Sequence, residues 1–490
     1  MKSGYSELLR VDEMYAADAA AIRGGVSGIQ LMQSAGEAIS DAIKQRWTAC
    51  AVTILCGPGN NGGDGFVVAR LLSESGWPVR LGLIGQCEAL KGDAAHHASL
   101  WQGPVESLSL ELLDDCSVVV DALYGAGLTR PVDGIAADLI DEINRRNMAC
   151  VAVDVPSGID GNTGEIRGVA PKSTLTVSFF RAKPGHYLYP GRGLCGEIVI
   201  ADIGIPDSVL SDINPQVRLN TPLSWVDNIP VPGPDSHKYN RGHTLISGGE
   251  LMTGAARMAA MAARRIGSGM VTLAVPPSVV PIYACSNPGN LIVPLAADYD
   301  CEGLFSDSRI SACLVGPGMS TGHRTRHLVM RGLQSGKQIV LDADALTEMA
   351  THQDEFFDLM NDNCLLTPHE GEFARLFEIV GDKIFRTQEA ARECGAVVLL
   401  KGPDSVIASP DGAVTVNATG SGWLATAGSG DVLAGIAAGL MAQNLSAYEA
   451  GCAAAWIHGR AGELFGPGLI AEDLPDLVPE VLLELLGEGG

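Results

Sequence analysis

Basic residues are scarce in this sequence. Among its 490 residues there are 33 Lys and Arg against 57 Asp and Glu, which gives a formal net charge of -24. Such a chain repels a polyanion overall and lacks the surplus of cations that displaces counterions from nucleic acid. Nucleic acid is therefore not expected as a main partner. A small anion can still bind to backbone N–H groups at a glycine-rich loop or a helix N-terminus.

Paired cysteine motifs and membrane-length apolar runs are also missing. The twelve Cys stand singly, with no CxxC pair and no His at zinc-finger spacing, so we expect reduced core thiols. An apolar run at residues 432–443 is too short to cross about 30 Å of hydrocarbon and is expected to form a buried helix. Charged residues interrupt the N-terminal segment where a signal peptide would need an apolar core. These features predict a cytoplasmic protein with no membrane segment.

Short apolar runs alternate with helical patterns along the chain. Hydrophobic residues make up 46% of it, and the 60 Gly and 26 Pro lie between these runs, which excludes disorder, coiled coil and collagen. Apolar strands separated by helices indicate an α/β fold with a parallel sheet covered on both faces. The alternation stops in a proline-rich stretch near 220–235 and then restarts. We predict two domains, 1–220 and 229–490, joined by a linker.

The first glycine-rich segment is CGPGNNGGDG at residues 56–65, between a predicted strand and a helix predicted at 65–75. Its glycines would let the backbone approach a phosphate or turn through a positive φ. A tight strand-to-helix turn would explain the glycines as well. It would not explain the amide and carboxylate groups of Asn60, Asn61 and Asp64.

Later strands of the same domain end in polar groups. Asp121 and Asp154 close two predicted strands, and Ser157 follows the second. Because such strand ends converge at one edge of a doubly wound sheet, Asn61, Asp121 and Ser157 could jointly offer oxygen ligands to a cation. Asp154 could then serve as an acid or base. Each Asp alone could instead be only a helix cap.

The second glycine-rich segment is TAGSGDVLAGIAAGL at residues 426–440. Gly428, Ser429 and Gly430 precede an apolar helix predicted to begin near Asp431. Backbone N–H groups and the positive helix end would form an anion hole for a phosphoryl group, with Asp431 beside it as general base. The alternative is that Asp431 only caps the helix. His369, at another strand end, is equally compatible with a structural role.

These segments resemble two known families. NNGGDGFVVAR, VVVDALYGAGLTRP and VAVDVPSGIDGNTG are similar to the YjeF N-terminal domain, the NAD(P)HX epimerase family. DSHK, VGPG, LDADAL, LTPHEGE, LLKG and GSGD are similar to the ribokinase-like NAD(P)HX dehydratases. The two sets occur in the order found in the bifunctional bacterial nicotinamide nucleotide repair enzymes. The resemblance implies a Rossmann-like doubly wound sheet in the first domain and a ribokinase-like α/β fold in the second.

The resemblance also implies an activity. Its substrates would be NADHX and NADPHX, the R and S hydrates of NADH and NADPH. The first domain would interconvert the epimers with K⁺ bound, and the second would dehydrate the S form with ADP and Mg²⁺, giving AMP and phosphate. An ordinary ribokinase-like kinase, or a first domain that only binds a ligand, remains as an alternative. A homo-oligomer is left open.

The roles implied by the resemblance fall on matching residues. Asp431 and Asp154 would be catalytic, with Lys183 a weaker candidate. Potassium would be held by Asn61, Asp121 and Ser157. The nucleotide would contact Lys401, Gly402, Pro403, Asp404, Ser405 and Gly430. The hydrate would contact Asn60, Asn61, Gly62, Gly63, Asp64, Gly125, Ala126, Gly127, Leu128, Thr129, Arg130, Pro131 and Asp154 in the first domain, and Ala255, Gly318, His369 and Asp431 in the second.

Four positions depart from the residue that is frequent in the second family. Tyr239, Ser320 and Ala427 stand where Gly is frequent, and Glu370 stands where Pro is frequent. If one of the missing glycines occupied a positive φ, its replacement would cost about 1 kcal/mol or shift the loop.

Overall fold

The computed structural model describes residues 6–285, 287–296 and 301–487. These residues form two compact units that divide between Arg218 and Leu219. Each unit has its own sheet with helices around it, so the predicted two-domain α/β fold is confirmed. All twelve cysteines are free thiols. Within the described ranges, no helix has the length and apolar character needed to span a bilayer.

The first unit is a doubly wound sheet of seven strands in the order β3-β2-β1-β4-β5-β6-β7, and every pairing in it is parallel. The chain reverses its direction of winding between β1 and β4, the position where sheets of this kind open a ligand crevice. The elements, with a short strand at the boundary, are α1 Val11–Arg23, α2 Gly28–Arg46, β1 Val52–Cys56, α3 Asn60–Glu74, β2 Val79–Leu83, α4 Gly92–Leu100, β3 Glu106–Ser107, β4 Val118–Ala122, α5 Gly134–Arg146, β5 Ala149–Val153, β6 Leu175–Phe179, β7 Glu197–Ala201, α6 Leu210–Ile213 and β8 Val217–Leu219.

Helix α3 begins earlier than the sequence predicts, at Asn60 rather than near residue 65. Its glycines are needed for close packing. A Cβ on Gly62 would lie 1.9 Å from the carbonyl oxygen of Gly57, and one on Gly65 would lie 2.7 Å from Cys56 Sγ. No glycine of this segment has a positive φ, so the predicted use of positive φ is wrong here. The segment turns directly into a helix packed on β1.

The second unit contains a sheet in the order β11-β10-β9-β12-β13-β14-β15-β16-β17-β8. In this sheet order, every pairing from β11 through β10, β9, β12, β13 and β14 to β15 is parallel. The pairings of β15 with β16 and of β16 with β17 are antiparallel. The elements are β9 His243–Ser247, α7 Thr253–Arg265, β10 Met270–Val275, α8 Val280–Ala284, β11 Leu291–Pro294, α9 Glu302–Phe305, β12 Ala312–Val315, α10 His323–Gln334, β13 Gln338–Leu341, α11 Asp344–Met349, α12 Gln353–Phe357, β14 Cys364–Leu366, α13 Glu370–Leu376, α14 Lys383–Cys394, β15 Val397–Leu400, β16 Val406–Ala408, β17 Val414–Val416, α15 Ser429–Ala442, α16 Ala447–Phe465 and α17 Leu474–Leu486.

The apolar run at 432–443 is a buried helix, as predicted. It forms most of α15, whose residues from Val432 to Ala442 are all buried. A Cβ on Gly435 would lie 2.3 Å from the carbonyl oxygen of Ala259, so glycine lets α15 lie directly against α7. Close helix packing therefore holds the N-terminus of α15 at a defined place beside the sheet.

The stretch expected to be a linker packs into the second unit. Trp225 is 2% exposed and belongs with Ile229 to the core of that unit. Asn220 donates from Nδ2 to Asn417 Oδ1 at 2.9 Å, and its Oδ1 accepts from Trp225 Nε1 at 3.0 Å. Residues 222–224 and 226–228 form 3-10 turns. The exposed stretch without helix or strand comes later, at residues 231–240.

Candidate active sites

The first unit has a cavity of about 520 Å³ at the winding reversal of its sheet. Residues from the loop after β1, the loop after β4 and the end of β5 line it, together with one face of α1. Of the predicted hydrate contacts, those that line it are Asn60, Asn61, Asp64, Gly125, Ala126, Gly127, Leu128, Thr129, Arg130 and Asp154. Gly62, Gly63 and Pro131 are not part of the lining. Gly62 and Gly63 act in packing, since a Cβ on either would clash.

Asp154 and Lys183 form an ion pair in the lining of this cavity. Ser178 Oγ connects the two, donating to Asp154 Oδ1 at 2.9 Å and accepting from Lys183 Nζ at 3.0 Å. Burial favours protonation of Asp154, but Lys183 outweighs it and lowers the pKa of this carboxyl. Asp154 is thus kept ionised beside the cavity. Its φ of 66° is rare for a residue other than Gly and marks a backbone held in place by its surroundings.

His186 forms hydrogen bonds with the backbone of both members of this ion pair. Its Nδ1 accepts from the backbone N–H of Lys183 at 2.9 Å, which assigns the proton to Nε2. Nε2 then donates to the carbonyl oxygen of Asp154 at 2.8 Å. Burial, followed by the charge of Lys183, lowers the pKa of His186 to about 4. The neutral ring therefore fixes the backbone of both members of the ion pair.

Asp121 and Ser157, two of the predicted potassium ligands, are in direct contact. Ser157 donates to the Asp121 carboxylate from its hydroxyl at 2.6 Å and from its backbone N–H at 2.7 Å. Burial raises the pKa of Asp121 to about 6, although these hydrogen bonds oppose the rise. Asn61 lines the cavity facing Gly125, and its buried Nδ2 has no hydrogen-bond partner among the described residues. Two of the three predicted potassium ligands, Asp121 and Ser157, are therefore hydrogen-bonded to each other.

Helix α1 contributes cavity residues that the sequence analysis does not identify. Tyr15 and Asp18 both line the cavity. Burial raises the pKa of Asp18 to about 6; Lys183 opposes this rise and Asp154 adds to it. The available signal was the spacing of four residues between Asp18 and Met14, a core residue of the same helix. That spacing alone does not separate a cavity wall from a solvent-exposed face.

In the second unit, Lys401 lies among carboxylates at the strand ends. Its Nζ is 2.7 Å from Asp342 Oδ1 and 3.9 Å from Glu372 Oε2. Thr367 Oγ1 donates to the same Asp342 oxygen at 2.8 Å. Burial opposes the charge of Lys401, but these carboxylates raise the pKa of the ammonium group. Asp342 and Glu372 belong to the LDADAL and LTPHEGE segments, but the family resemblance implies no role for either residue.

Asp431 lies in the first turn of α15, which begins at Ser429 with Gly428 as its N-cap. The predicted helix start near Asp431 is therefore two residues late, and Asp431 does not cap the helix. Gly428 has a φ of 91°, which favours glycine. Burial, followed by the charge of Asp342, raises the pKa of Asp431 to about 7, although Lys401 opposes the rise. Asp431 thus has the pKa of a group that exchanges protons near neutral pH.

The glycine segment before α15 is held by α16. His458, which is 8% exposed, has its Nε2 3.0 Å from both the hydroxyl and the carbonyl oxygen of Ser429. Burial lowers the pKa of His458 to about 4, so the ring is neutral and donates one of these bonds. A Cβ on Gly430 would lie 3.4 Å from Lys401 Nζ. The start of this helix is therefore close to the half-buried ammonium group of Lys401.

His369 has the structural role that was left open. Its Nδ1 accepts from the backbone N–H groups of Gly371 at 2.9 Å and Glu372 at 3.2 Å, so the ring caps α13. Its side chain is 55% exposed, and its Nε2 lies 3.5 Å from Glu372 Oε1. Gly318 and Ala255 lie together, because a Cβ on Gly318 would be 3.1 Å from that of Ala255. Of these predicted hydrate contacts, Ala255 lies in the first turn of α7, Gly318 follows β12 and His369 precedes α13.

The remaining predicted nucleotide residues form the turn between β15 and β16. Ser405 Oγ donates to the Gly402 carbonyl oxygen at 3.0 Å and closes this turn. Asp404 Oδ1 forms an ion pair with Lys383 Nζ at 2.6 Å. Pro403 lies between Gly402 and Asp404 in the sequence. Lys383 therefore adds a basic group near this turn, and no motif in the sequence marks it.

The fold of the second unit defines the class of protein to which it belongs. A ribokinase-like superfamily protein from Enterococcus faecalis V583 matches it with a TM-score of 0.50 and 20% identity, covering 55% of this chain and 96% of that one. The second unit therefore has the ribokinase-like fold.

Family models and full-length relatives identify the chain more narrowly. The model "YjeF-related protein N-terminus" matches residues 28–185, and "NAD(P)H-hydrate dehydratase" matches residues 243–479. The bifunctional NAD(P)H-hydrate repair enzyme Nnr of Coxiella burnetii is 37% identical over 93% of this chain and 95% of that relative. The enzyme of the same name from Salinibacter ruber is 36% identical over 98% of this chain and 97% of its own length. The chain belongs to the family of bifunctional NAD(P)H-hydrate repair enzymes.

Proposed function

We propose that the second unit dehydrates the S hydrate of NADH or NADPH with ADP, giving the reduced nucleotide, AMP and phosphate. Hydroxide is a poor leaving group, and phosphorylating the hydroxyl makes it a good one. The observation that carries this assignment is Asp431, a half-buried carboxyl with a pKa raised to about 7 at the N-terminus of α15. Asp431 would take the proton of the hydroxyl as it attacks the terminal phosphoryl group.

The phosphoryl group would be held by backbone N–H groups at residues 428–430. The N-terminus of α15 supplies orphan donors and the positive end of the helix dipole. Lys401 adds a half-buried positive charge next to Gly430. In this proposal the turn from Gly402 to Ser405 binds the rest of the nucleotide, and the hydrate lies near Ala255, Gly318 and the exposed edge of His369.

Magnesium fits the carboxylates of this site. Mg²⁺ is generally held by one or two carboxylates together with substrate phosphates, rather than by an all-protein cage. Asp342 and Glu372 flank Lys401 and would supply such oxygens. A bound magnesium ion would offset the charge that develops on the transferred phosphoryl group.

For the first unit we propose interconversion of the R and S hydrates. Its support is the 520 Å³ cavity at the winding reversal, with an ionised Asp154 and a buried Lys183 in its lining. A domain that only bound a ligand would not need a buried lysine paired with a carboxylate that faces its cavity. Asn60, Asn61, Asp64 and the loop 125–130 would contact the hydrate.

Potassium fits the charge at Asp121. This carboxylate is 1% exposed and forms no ion pair within the described residues, so its charge has no counter-ion from the protein there. A large, weakly hydrated cation would supply that charge, with Asp121 and oxygens of Ser157 and Asn61 as ligands.

A cytoplasmic site of action, with no nucleic-acid or membrane partner, completes the proposal. It is supported by the acidic net charge and the free thiols.

The experiment that tests this function separates it from that of an ordinary kinase. Mixed R and S hydrates are incubated with the protein and either ADP or ATP, and NADH is followed by absorbance while the nucleotide products are separated. We expect NADH, AMP and phosphate in equal amounts with ADP. A stable phosphorylated product, with no NADH formed, would favour the kinase alternative.

A further inference from the structure

Helix α1 forms one wall of the cavity in the first unit. Five of its residues line the cavity at positions 11, 14, 15, 18 and 22, a spacing that places them on a single helix face. Another part of the lining is formed by Asp154, which follows β5, and by Lys183, which follows β6. A ligand in the cavity would therefore meet α1 on one side and the strand ends on another.

Asp18 is the only acidic member of this α1 face, and it is available to a ligand. Its partly buried carboxyl forms no hydrogen bond with the residues that the structure describes. Asp64, which is 8% exposed and also lines the cavity, has no such hydrogen bond either. Lys183, by contrast, is engaged by Asp154 and Ser178. The cavity thus contains two carboxyl groups whose hydrogen-bonding capacity is unused.

The titratable groups facing Asp18 come from α1, α3 and the strand ends. They are the neutral phenol of Tyr15 on its own helix, Asp64 on α3, Asp154 after β5 and Lys183 after β6. With burial as the largest cause, they leave the pKa of Asp18 at about 6 and that of Asp64 well above its ordinary value, while that of Asp154 is lowered. One cavity therefore contains a carboxyl that keeps its proton to higher pH and another that stays ionised.

We propose that Asp18 is a second catalytic acid–base residue of the epimerisation, acting on one face of the substrate ring while Asp154 acts on the other. This inference rests on the proposed function of the first unit. Inverting a carbon that carries a hydroxyl, by losing water from one face and adding it to the other, needs an acid on the first face and a base on the second. Two carboxyl groups on different parts of the cavity wall, one of which holds a proton more readily than the other, meet that need, as in enzymes that invert a sugar centre.

The proposed step balances without any further reactant. The hydroxyl of the hydrate is carried by C6, the ring carbon whose configuration is R or S. Asp18 gives its proton to this hydroxyl, the C6–O bond breaks, and water leaves. The lone pair of the adjacent ring nitrogen forms a C6=N double bond, which gives a cation that the surrounding carboxylates stabilise. A water molecule adds to the opposite face, and Asp154 takes the proton it releases. In the reverse direction, Asp154 is the acid and Asp18 the base.

The first test compares Asp18→Asn with Asp12→Asn, a matched control on the same helix whose side chain is exposed. Conversion of R to S hydrate is measured after subtraction of the uncatalysed rate, and dehydration of pure S hydrate by the same preparations is measured separately. We expect Asp18→Asn to slow conversion roughly 10²–10⁴-fold and leave dehydration unchanged. Asp12→Asn should leave both unchanged. Conversion by Asp18→Asn within a few-fold of the wild-type rate would overturn the proposal.

Two measurements on the unmodified protein test the same idea even if the variant is unstable. In H₂¹⁸O, each inversion should place one solvent oxygen on C6, and inversion that retains the original oxygen would rule out the water-loss step. Conversion from R to S should also fall as pH rises through about 6, because Asp18 must be protonated to act. Unmodified protein that does not interconvert the hydrates at all would refute the proposed function itself.

Discussion

Burial of Asp431 raises its pKa, which suits a general base and also lowers the free energy of unfolding when the carboxyl is ionised. Because its pKa is raised to about 7, dehydration should increase as pH rises through about 7. In Asp431→Asn the amide cannot take the proton, so dehydration should fall roughly 10²–10⁴-fold. ADP binding should survive, because the N–H groups at residues 428–430 do not depend on the carboxylate. NADH recovery and ADP binding are the two measurements, and turnover near the wild-type rate would remove Asp431 from the mechanism.

The same substitution has a predicted effect on stability. A carboxyl whose pKa is higher in the folded than in the unfolded state makes folding less favourable as pH rises from the ordinary Asp value of 3.8 to about 7. Asp431→Asn should therefore raise the melting temperature at about pH 8 and have little effect at about pH 4. A lower melting temperature at the higher pH would show that the carboxylate stabilises the fold, which would contradict the cause given for its raised pKa.

Ser320 is the departure from the family pattern that the structure shows to be strained. Its φ is 63°, whereas Tyr239, Glu370 and Ala427 do not have a positive φ. Relief of about 1–2 kcal/mol of left-handed strain exceeds the roughly 0.5–1 kcal/mol entropic cost of glycine. Ser320→Gly should therefore raise the free energy of unfolding by up to about 1 kcal/mol. Ala427→Gly, the control, should lower it; if both variants were destabilised equally, strain at Ser320 would be excluded as the cause.

At the scale of elements, the segment before the second sheet belongs to the unit that follows it. Trp225 is buried in the core of the second unit, and losing a buried aromatic side chain costs about 3–5 kcal/mol. A fragment that begins at Leu219 should fold and dehydrate the S hydrate. One that begins at Ile229, the predicted domain start, should be clearly less stable in denaturant titration. Equal stability of the two fragments would show that the 219–228 segment contributes nothing.

The converging strand ends carry a second prediction at this scale. If Asp121 and Ser157 hold a monovalent cation, R-to-S conversion should increase when K⁺ replaces a large organic cation in the buffer. Asp121→Ala should slow conversion and abolish its dependence on K⁺, while dehydration of pure S hydrate continues. Conversion that is independent of K⁺ in the unmodified protein would remove potassium from the account; parallel loss of both activities in the variant would indicate misfolding.

The elements also show what the sequence could predict. Local apolar patterns were sufficient for the alternation of strands and helices in both units and for the burial of 432–443. The start of α3 at Asn60 was missed, since glycines that allow close packing look the same in sequence as glycines that make a loop. Asp18 was missed because tertiary packing, rather than its own helix, decides that its side chain borders a cavity.

At the scale of the whole molecule, two activities in one chain make a combined prediction. The S hydrate is the substrate proposed for the second unit, so the R hydrate can be recovered only after inversion by the first. A mixture of R and S hydrates thus reports on both units at once, through the amount of NADH formed rather than its rate. This readout does not depend on how the two units are arranged.

The most direct test is therefore the end point of NADH recovery from a mixture of R and S hydrates with excess ADP. It is measured by absorbance over a time that is short relative to spontaneous epimerisation. The unmodified protein should recover all of the hydrate as NADH, Asp154→Asn should stop at the S share, and Asp431→Asn should recover almost none. Mixing the two variants should restore full recovery. Full recovery by Asp154→Asn alone, or a wild-type end point at the S share, would contradict the assignment of the two activities to the two units.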